Sequence, residues 1–183
     1  IEFDGKIRIS KTNHLYLESL KLNNSKNVKI NISGDLSERI LNLSINGEMI
    51  DLSMNKISTN KKIKEHYLSK ENYKIKTDKV IFAGGVKVND FKAGILKQGE
   101  LLSVNSKASI NNHTLNYSRE KSEEVDINLI SSSDITHFVH NKHPAKKLLS
   151  DGELQMKSVR DLSTMDARVD IDLKDFVLIN TPA

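Results

Sequence analysis

Asp166, Asp170 and Asp172 stand at even spacing in MDARVDIDLKDF, Met165 to Phe176, and carboxylates so placed could chelate a hard cation or divide acid and base work. Along an extended strand, however, Asp166, Arg168, Asp170, Asp172 and Lys174 share one face, while Ala167, Val169, Ile171 and Leu173 share the other. The charges partly alternate in sign, as on a solvated surface, and a flat strand lacks the turn glycine and backbone ligands of a calcium loop. These acids are therefore read as the wet side of a strand.

The remaining chemistry-bearing residues read in the same plain way. His137, His140 and His143 have i, i+3 spacing, but no HExxH or matching third ligand accompanies them, and His143 adjoins the helix-ending Pro144. A histidine near a helix C-terminus is favoured by the dipole alone. FAGGVKV, Phe82 to Val88, lacks the further glycine and the Lys-Ser/Thr of a phosphate loop and reads as a bulge or tight bend. SSSD, Ser131 to Asp134, reads as a helix cap rather than a nucleophile elbow. Without cysteine there is no disulfide, zinc-thiolate or thiol chemistry. No triad can be assembled, so neither an enzyme, a metal centre nor a cofactor is expected.

The elements that carry these residues follow from length and periodicity. A chain of 183 residues is long enough for one domain with a real core. It begins without Met, and Thr181, Pro182 and Ala183 follow an apolar run, so both ends are read as cuts through a longer polypeptide whose anchor or signal lies elsewhere. No run approaches the roughly 18 apolar residues of a membrane span. The net charge is +4 and the pI about 9.1, yet the lysines are scattered and Trp is absent, so no nucleic-acid partner is expected. The densest basic stretch, Asn60 to Lys76, is read as a solvated helix face, with weak attraction to anionic lipid head groups as the functional alternative.

Apolar-polar alternation recurs at Ile7 and Ile9; Val28, Ile30 and Ile32; Leu41, Leu43 and Ile45; Val86 and Val88; Leu115 and Tyr117; Val125, Ile127 and Leu129; Leu154 and Met156; and Val169, Ile171 and Leu173. Turn signals fall at Ser33 to Glu38, Asn46 to Glu48, Lys97 to Glu100 and Ile110 to His113. The expected fold is mainly β, a curved, twisted antiparallel sheet meander of groove-like form, with one or two short helices in a single domain over 1–183. Residues 54–76 are expected to form a polar, Lys-rich helical or loop insertion, and 133–149 a short helix and its connection. Two short helices cannot cover the dry face of roughly eight to ten strands, so either the sheet curls on itself or a ligand fills it.

The order of features also resembles a known family. The stretches are GDLSERILNLSINGEMIDLS from Gly34, KVNDFKAGILKQGELLSVNSKA from Lys87, INLISSSDITHFVHNKHPAKKLLSDGELQMKS from Ile127, and the closing MDARVDIDLKDFVLINTPA. Together they resemble the C-terminal region of AsmA-like bacterial envelope proteins, the group of TamB- and YhdP-type proteins. Asp134 matches the helix start, Gly152 and Leu154 the Gly-x-Leu strand, and Asp175, Phe176, Asn180 and Pro182 the closing motif; Asp151 and Thr181 depart from the usual Gly and Ala. The resemblance implies the periplasmic portion of an inner-membrane-anchored protein whose β-groove moves phospholipid between membranes and maintains the outer membrane. Its partners are then phospholipid acyl chains and, through an anchor outside this segment, the membrane. The expected groove lining is Val28, Ile30, Ile32, Leu41, Leu43, Ile45, Val125, Ile127, Leu129, Val169, Ile171 and Leu173. A closed β-sandwich scaffold or protein-interaction domain is the alternative. Cut edges of such a sheet are expected to pair edge to edge between copies.

Overall fold

Period-two patterning does produce strands, and hydrogen bonding gathers them into one long sheet. The computed structural model describes residues 2–9, 15–24, 28–53, 68–82, 85–134, 136 and 149–178. The strands are β1 (Glu2–Ile9), β2 (Leu15–Asn24), β3 (Val28–Ser37), β4 (Ile40–Asp51), β5 (Lys70–Ile81), β6 (Lys87–Gln98) and β7 (Leu101–Ile110). They continue as β8 (His113–Lys121), β9 (Val125–Ser132), β10 (Leu149–Ser150), β11 (Glu153–Asp161), β12 (Ala167–Lys174) and β13 (Val177–Leu178). Eleven of them form a single open, curved sheet in the order β1-β2-β3-β4-β5-β6-β7-β8-β9-β11-β12, and β10 pairs with β13 apart from it.

Neighbouring strands are antiparallel except β4 and β5, which run parallel from Ile40↔Lys70 to Asp51↔Ile81. The expected uniform meander therefore needs one correction. A parallel pair requires a crossover connection rather than a hairpin, and the segment between Asp51 and Lys70 supplies that length. The same strand corrects the insertion: Lys70 to Lys76 is the first half of β5, not part of a helix or loop. Residues 54–67 of that insertion, like 137–148 of the second expected helix, lie outside the described residues, and so do His137, His140 and His143. Leu149, at the end of the second segment, is in β10. Among the described residues there is no α-helix.

Turn chemistry sets the hairpins. Glu38 and Arg39, at φ 45° and 69°, and Asn111 and Asn112, at φ 48° and 70°, are the positive-φ pairs of two-residue turns whose twist matches the flanking strands. Gly99, at φ 56°, does the corresponding work between β6 and β7. Asn46 to Glu48 is not a turn. It lies inside β4, where a Cβ on Gly47 would come within 2.2 Å of the Lys29 carbonyl oxygen, so glycine here permits close approach at a bulge in the β3-β4 ladder.

The core is lateral. Val80, Val88 and Ala108 are buried, with Ile50, Phe91, Ile110 and Leu115 packed around them on β4 to β8. Phe82 and Phe91 meet edge to face at 6.2 Å.

Candidate functional site

Cross-strand pairing fixes which side chains share a face. One row can be followed through the register as Leu20, Ile32, Ile45, Ile75, Ala93, Ser106, Tyr117, Ile130, Met156 and Ile171, one residue on each of the ten strands of this sheet from β2 to β12. At about 4.8 Å per strand this almost wholly apolar line runs about 43 Å. A parallel row, Leu17, Gly34, Leu43, Tyr73, Ile95, Val104, Arg119, Asn128, Ser158 and Val169, lies two residues along each strand, or three across the shift in β2, on the same face, with Ile7 pairing Leu17 at its β1 end.

Of the expected lining residues, Ile30, Ile32, Leu41, Leu43, Ile45, Val169, Ile171 and Leu173 belong to this face, and Val28 occupies the strand position opposite Ile50. Val125, Ile127 and Leu129 do not. Leu129 pairs with Ser118 and Lys157, and Ile127 with Glu120 and Val159, so all three share the face of Asp170 and Arg168. Both faces of β9 carry some apolar residues, and its neighbours decide which one joins the dry side: Leu115 and Tyr117 of β8 and Leu154 and Met156 of β11 align with Ser132 and Ile130.

That register turns Asp126 and Asn128 onto the apolar face, where a bonded network satisfies them. Arg119 donates from Nε and Nη2 to the two carboxylate oxygens of Asp126 at 2.8 and 2.7 Å. Tyr117 donates its hydroxyl to Asn128 at 2.9 Å. The Arg119 hydrogen bonds, aided by the charges of Lys121 and Arg160, hold the Asp126 carboxyl below its ordinary range against the opposing effect of burial. Farther along the same edge of the face, Lys97 reaches Glu71 at 3.1 Å and Tyr73 donates to Glu71 at 2.5 Å. Burial first and then the Glu71 carboxylate push the Tyr73 hydroxyl up to about 12. The row Leu41, Glu71, Lys97, Leu102, Lys121, Asp126 and Arg160 is thus a polar rim to an apolar field.

The sequence reading missed this rim, and also β2, β5 and β7. In β2 the register shifts between Leu17 and Leu20, so two half-strands of opposite parity hide one another. Alternation could have revealed each half separately.

On the opposite face Asp170 accepts from Arg168 at 2.9 Å, and Lys174 lies 3.4 Å from Asp172, all exposed. No group of three or more His, Asp or Glu residues among those described is placed to hold a metal. Asp134 is buried and accepts from the backbone N–H and hydroxyl of Thr136 at 2.8 and 2.7 Å, the local hydrogen bonds of an Asx turn. No helix among the described residues is long and apolar enough to cross a membrane. Compared with protein-family models, curated proteins and solved structures, the chain matches none of them.

Proposed function

We propose that this sheet is a segment of a lipid-conducting β-groove in an AsmA-like envelope protein, carrying phospholipid across the periplasm from an inner-membrane anchor toward the outer membrane. The observation that carries the reading is the in-register apolar face of an open sheet, whose end residues Ile7, Ile9, Val169 and Ile171 are 54 to 69% exposed. Between these ends the row is partly exposed, and a partly exposed apolar row that runs the width of an open sheet supports a binding surface. Acyl chains laid along it gain about 25 cal/mol per Å² of apolar area removed from water, with no fixed polar contact to stop them sliding. The rim suits the other end of such a molecule: Arg119, Lys121 and Arg160 surround the single carboxylate of Asp126, a cationic surplus beside which a phosphate can sit.

The protein-interaction scaffold is the second reading, and the outer edges of β1 and β12 favour it, since among the described residues neither pairs with a further strand. An open sheet is not the closed sandwich in which that alternative was first framed.

Native mass spectrometry of the purified segment, with extraction of its lipids, tests the groove. Wild-type protein is expected to carry phospholipid, and Ile171→Asp to remain folded while lipid occupancy falls sharply. Absence of bound lipid in the wild type, or full occupancy in a folded Ile171→Asp, defeats the proposal. A dimer that grows with concentration and leaves the apolar face unoccupied supports the scaffold.

A further inference from the structure

The face opposite the apolar field holds a feature that the linear sequence conceals. Lys76 of β5, Lys92 of β6 and Lys107 of β7 are cross-strand partners in one unbroken row, and Lys74 flanks Lys76 on the same face. All four are exposed, and among the described residues none has an ion-pair partner. Of the acids next to the row, Asp78 lies two residues beyond Lys76 on β5, and Asp90 sits at the β6-β7 register shift, where it accepts from the Ser109 hydroxyl at 3.2 Å. Like charges directly opposite one another destabilise a sheet, so three in a row is a local conflict of the kind found at binding surfaces.

We propose that this face, over β5 to β7, docks on the surface of an anionic phospholipid bilayer. The cations lie about 4.8 Å apart from strand to strand, bordering a shallow depression of about 310 Å³ between Lys92, Lys107, Gly94 and Asn105. Nothing converges there on one small anion; the charge is spread in two dimensions, as head-group phosphates are. The same face, farther along β6 and β7 and on β9, exposes Leu96, Leu101 and Leu129, with a second depression of about 310 Å³ lined by Leu96, Leu101, Val125 and Ile127. Aliphatic side chains beside lysines suit the boundary between head groups and acyl chains. Nucleic acid fits less well, because this face of β5 to β9 has no aromatic side chain on which a base could stack. Docking here leaves the apolar field free, so it is independent of the groove.

Vesicle co-sedimentation tests it, using phosphatidylcholine alone and phosphatidylcholine mixed with phosphatidylglycerol. Each lysine against an anionic leaflet strengthens binding about fivefold, so Lys76→Gln/Lys92→Gln/Lys107→Gln is expected to lose on the order of a hundredfold. Binding of the wild type is expected to require the anionic lipid and to weaken with salt. Thermal unfolding of the triple variant verifies that it is folded. Equal binding by the triple variant, equal binding to neutral vesicles, or tighter binding to single-stranded RNA than to anionic vesicles overturns the proposal.

Discussion

Val88 and Ile171 lie on the same face of the same sheet, yet one is 1% exposed and the other 62%. The difference is lateral. Val88 has neighbouring strands on both sides and sits among Val80, Ala108, Phe91 and Ile110, whereas Ile171 is on the edge strand β12 with Met156 on one flank only. Among the described residues the sheet is a single layer whose core is made by side chains standing beside one another, so cover fades toward an edge while chemistry stays constant. The largest predicted effect follows directly. Val88→Asp places an uncompensated carboxylate in the covered part and is expected to cost more than about 4 kcal/mol or to unfold the protein, while Ile171→Asp costs about 1 kcal/mol or less. Paired urea titrations compare them. Equal, large losses would mean that a hidden layer covers β12; equal, small ones would mean that Val88 is not core.

β12 and β9 show how far the sequence alone could be read. On β12 alternation sorts Val169, Ile171 and Leu173 cleanly from Arg168, Asp170, Asp172 and Lys174, and on this edge strand Asp170 and Asp172 are exposed together with Val169 and Ile171. On β9 the same rule chose Val125, Ile127 and Leu129 because they are the more apolar set, and the choice was inverted. Periodicity divides a strand into two sets; only the partners across the ladder say which set goes where. Strands β2, β5 and β7 were hidden for related reasons: a register shift in β2, lysines between Tyr73, Ile75 and Thr77 in β5, and serines at Ser103, Ser106 and Ser109 in β7. The mostly-β class was legible, because it needs only the recurrence of the pattern. The parallel β4-β5 pair was not, since it depends on a crossover that no local signal announces.

The polar rim offers a second way to sharpen the contrast between covered and open regions. Arg119→Ala leaves the buried Asp126 without its two strongest donors, and a loss of about 1 to 2 kcal/mol is expected, moderated by the exposure of the arginine side chain. The pH dependence carries a sign. The folded-state pKa of Asp126 lies below its ordinary value of 3.8, so this stabilisation is complete above that value and is lost as the pH falls through the lowered one. Without Arg119 the acid-unfolding midpoint is expected to move upward. Acid titrations followed by circular dichroism check this, and identical midpoints for the two proteins would show that the pair contributes nothing to folding.

The smallest predicted effect separates two regions of the lysine-bearing face by the sign of a charge interaction. Lys92 stands between Lys76 and Lys107, two unfavourable cross-strand contacts, whereas Lys29 reaches Glu48 at 3.1 Å. Cross-strand charge pairs are worth about 0.2 to 1 kcal/mol, and exposed ones fall at the low end. Lys92→Gln removes repulsion and is expected to stabilise the protein by about 0.3 kcal/mol, while Lys29→Gln removes an attraction and destabilises it by a similar amount. Both shifts arise from exposed charges, so both are expected to shrink as added salt shortens the Debye length from about 10 Å at 0.1 M to about 3 Å at 1 M. Thermal melts in low and high salt are sufficient to resolve the opposite signs. A Lys92→Gln variant that is less stable than the wild type in low salt would mean that the lysine row is held by favourable contacts within the sheet, and the case for an external anionic surface would lose its energetic basis.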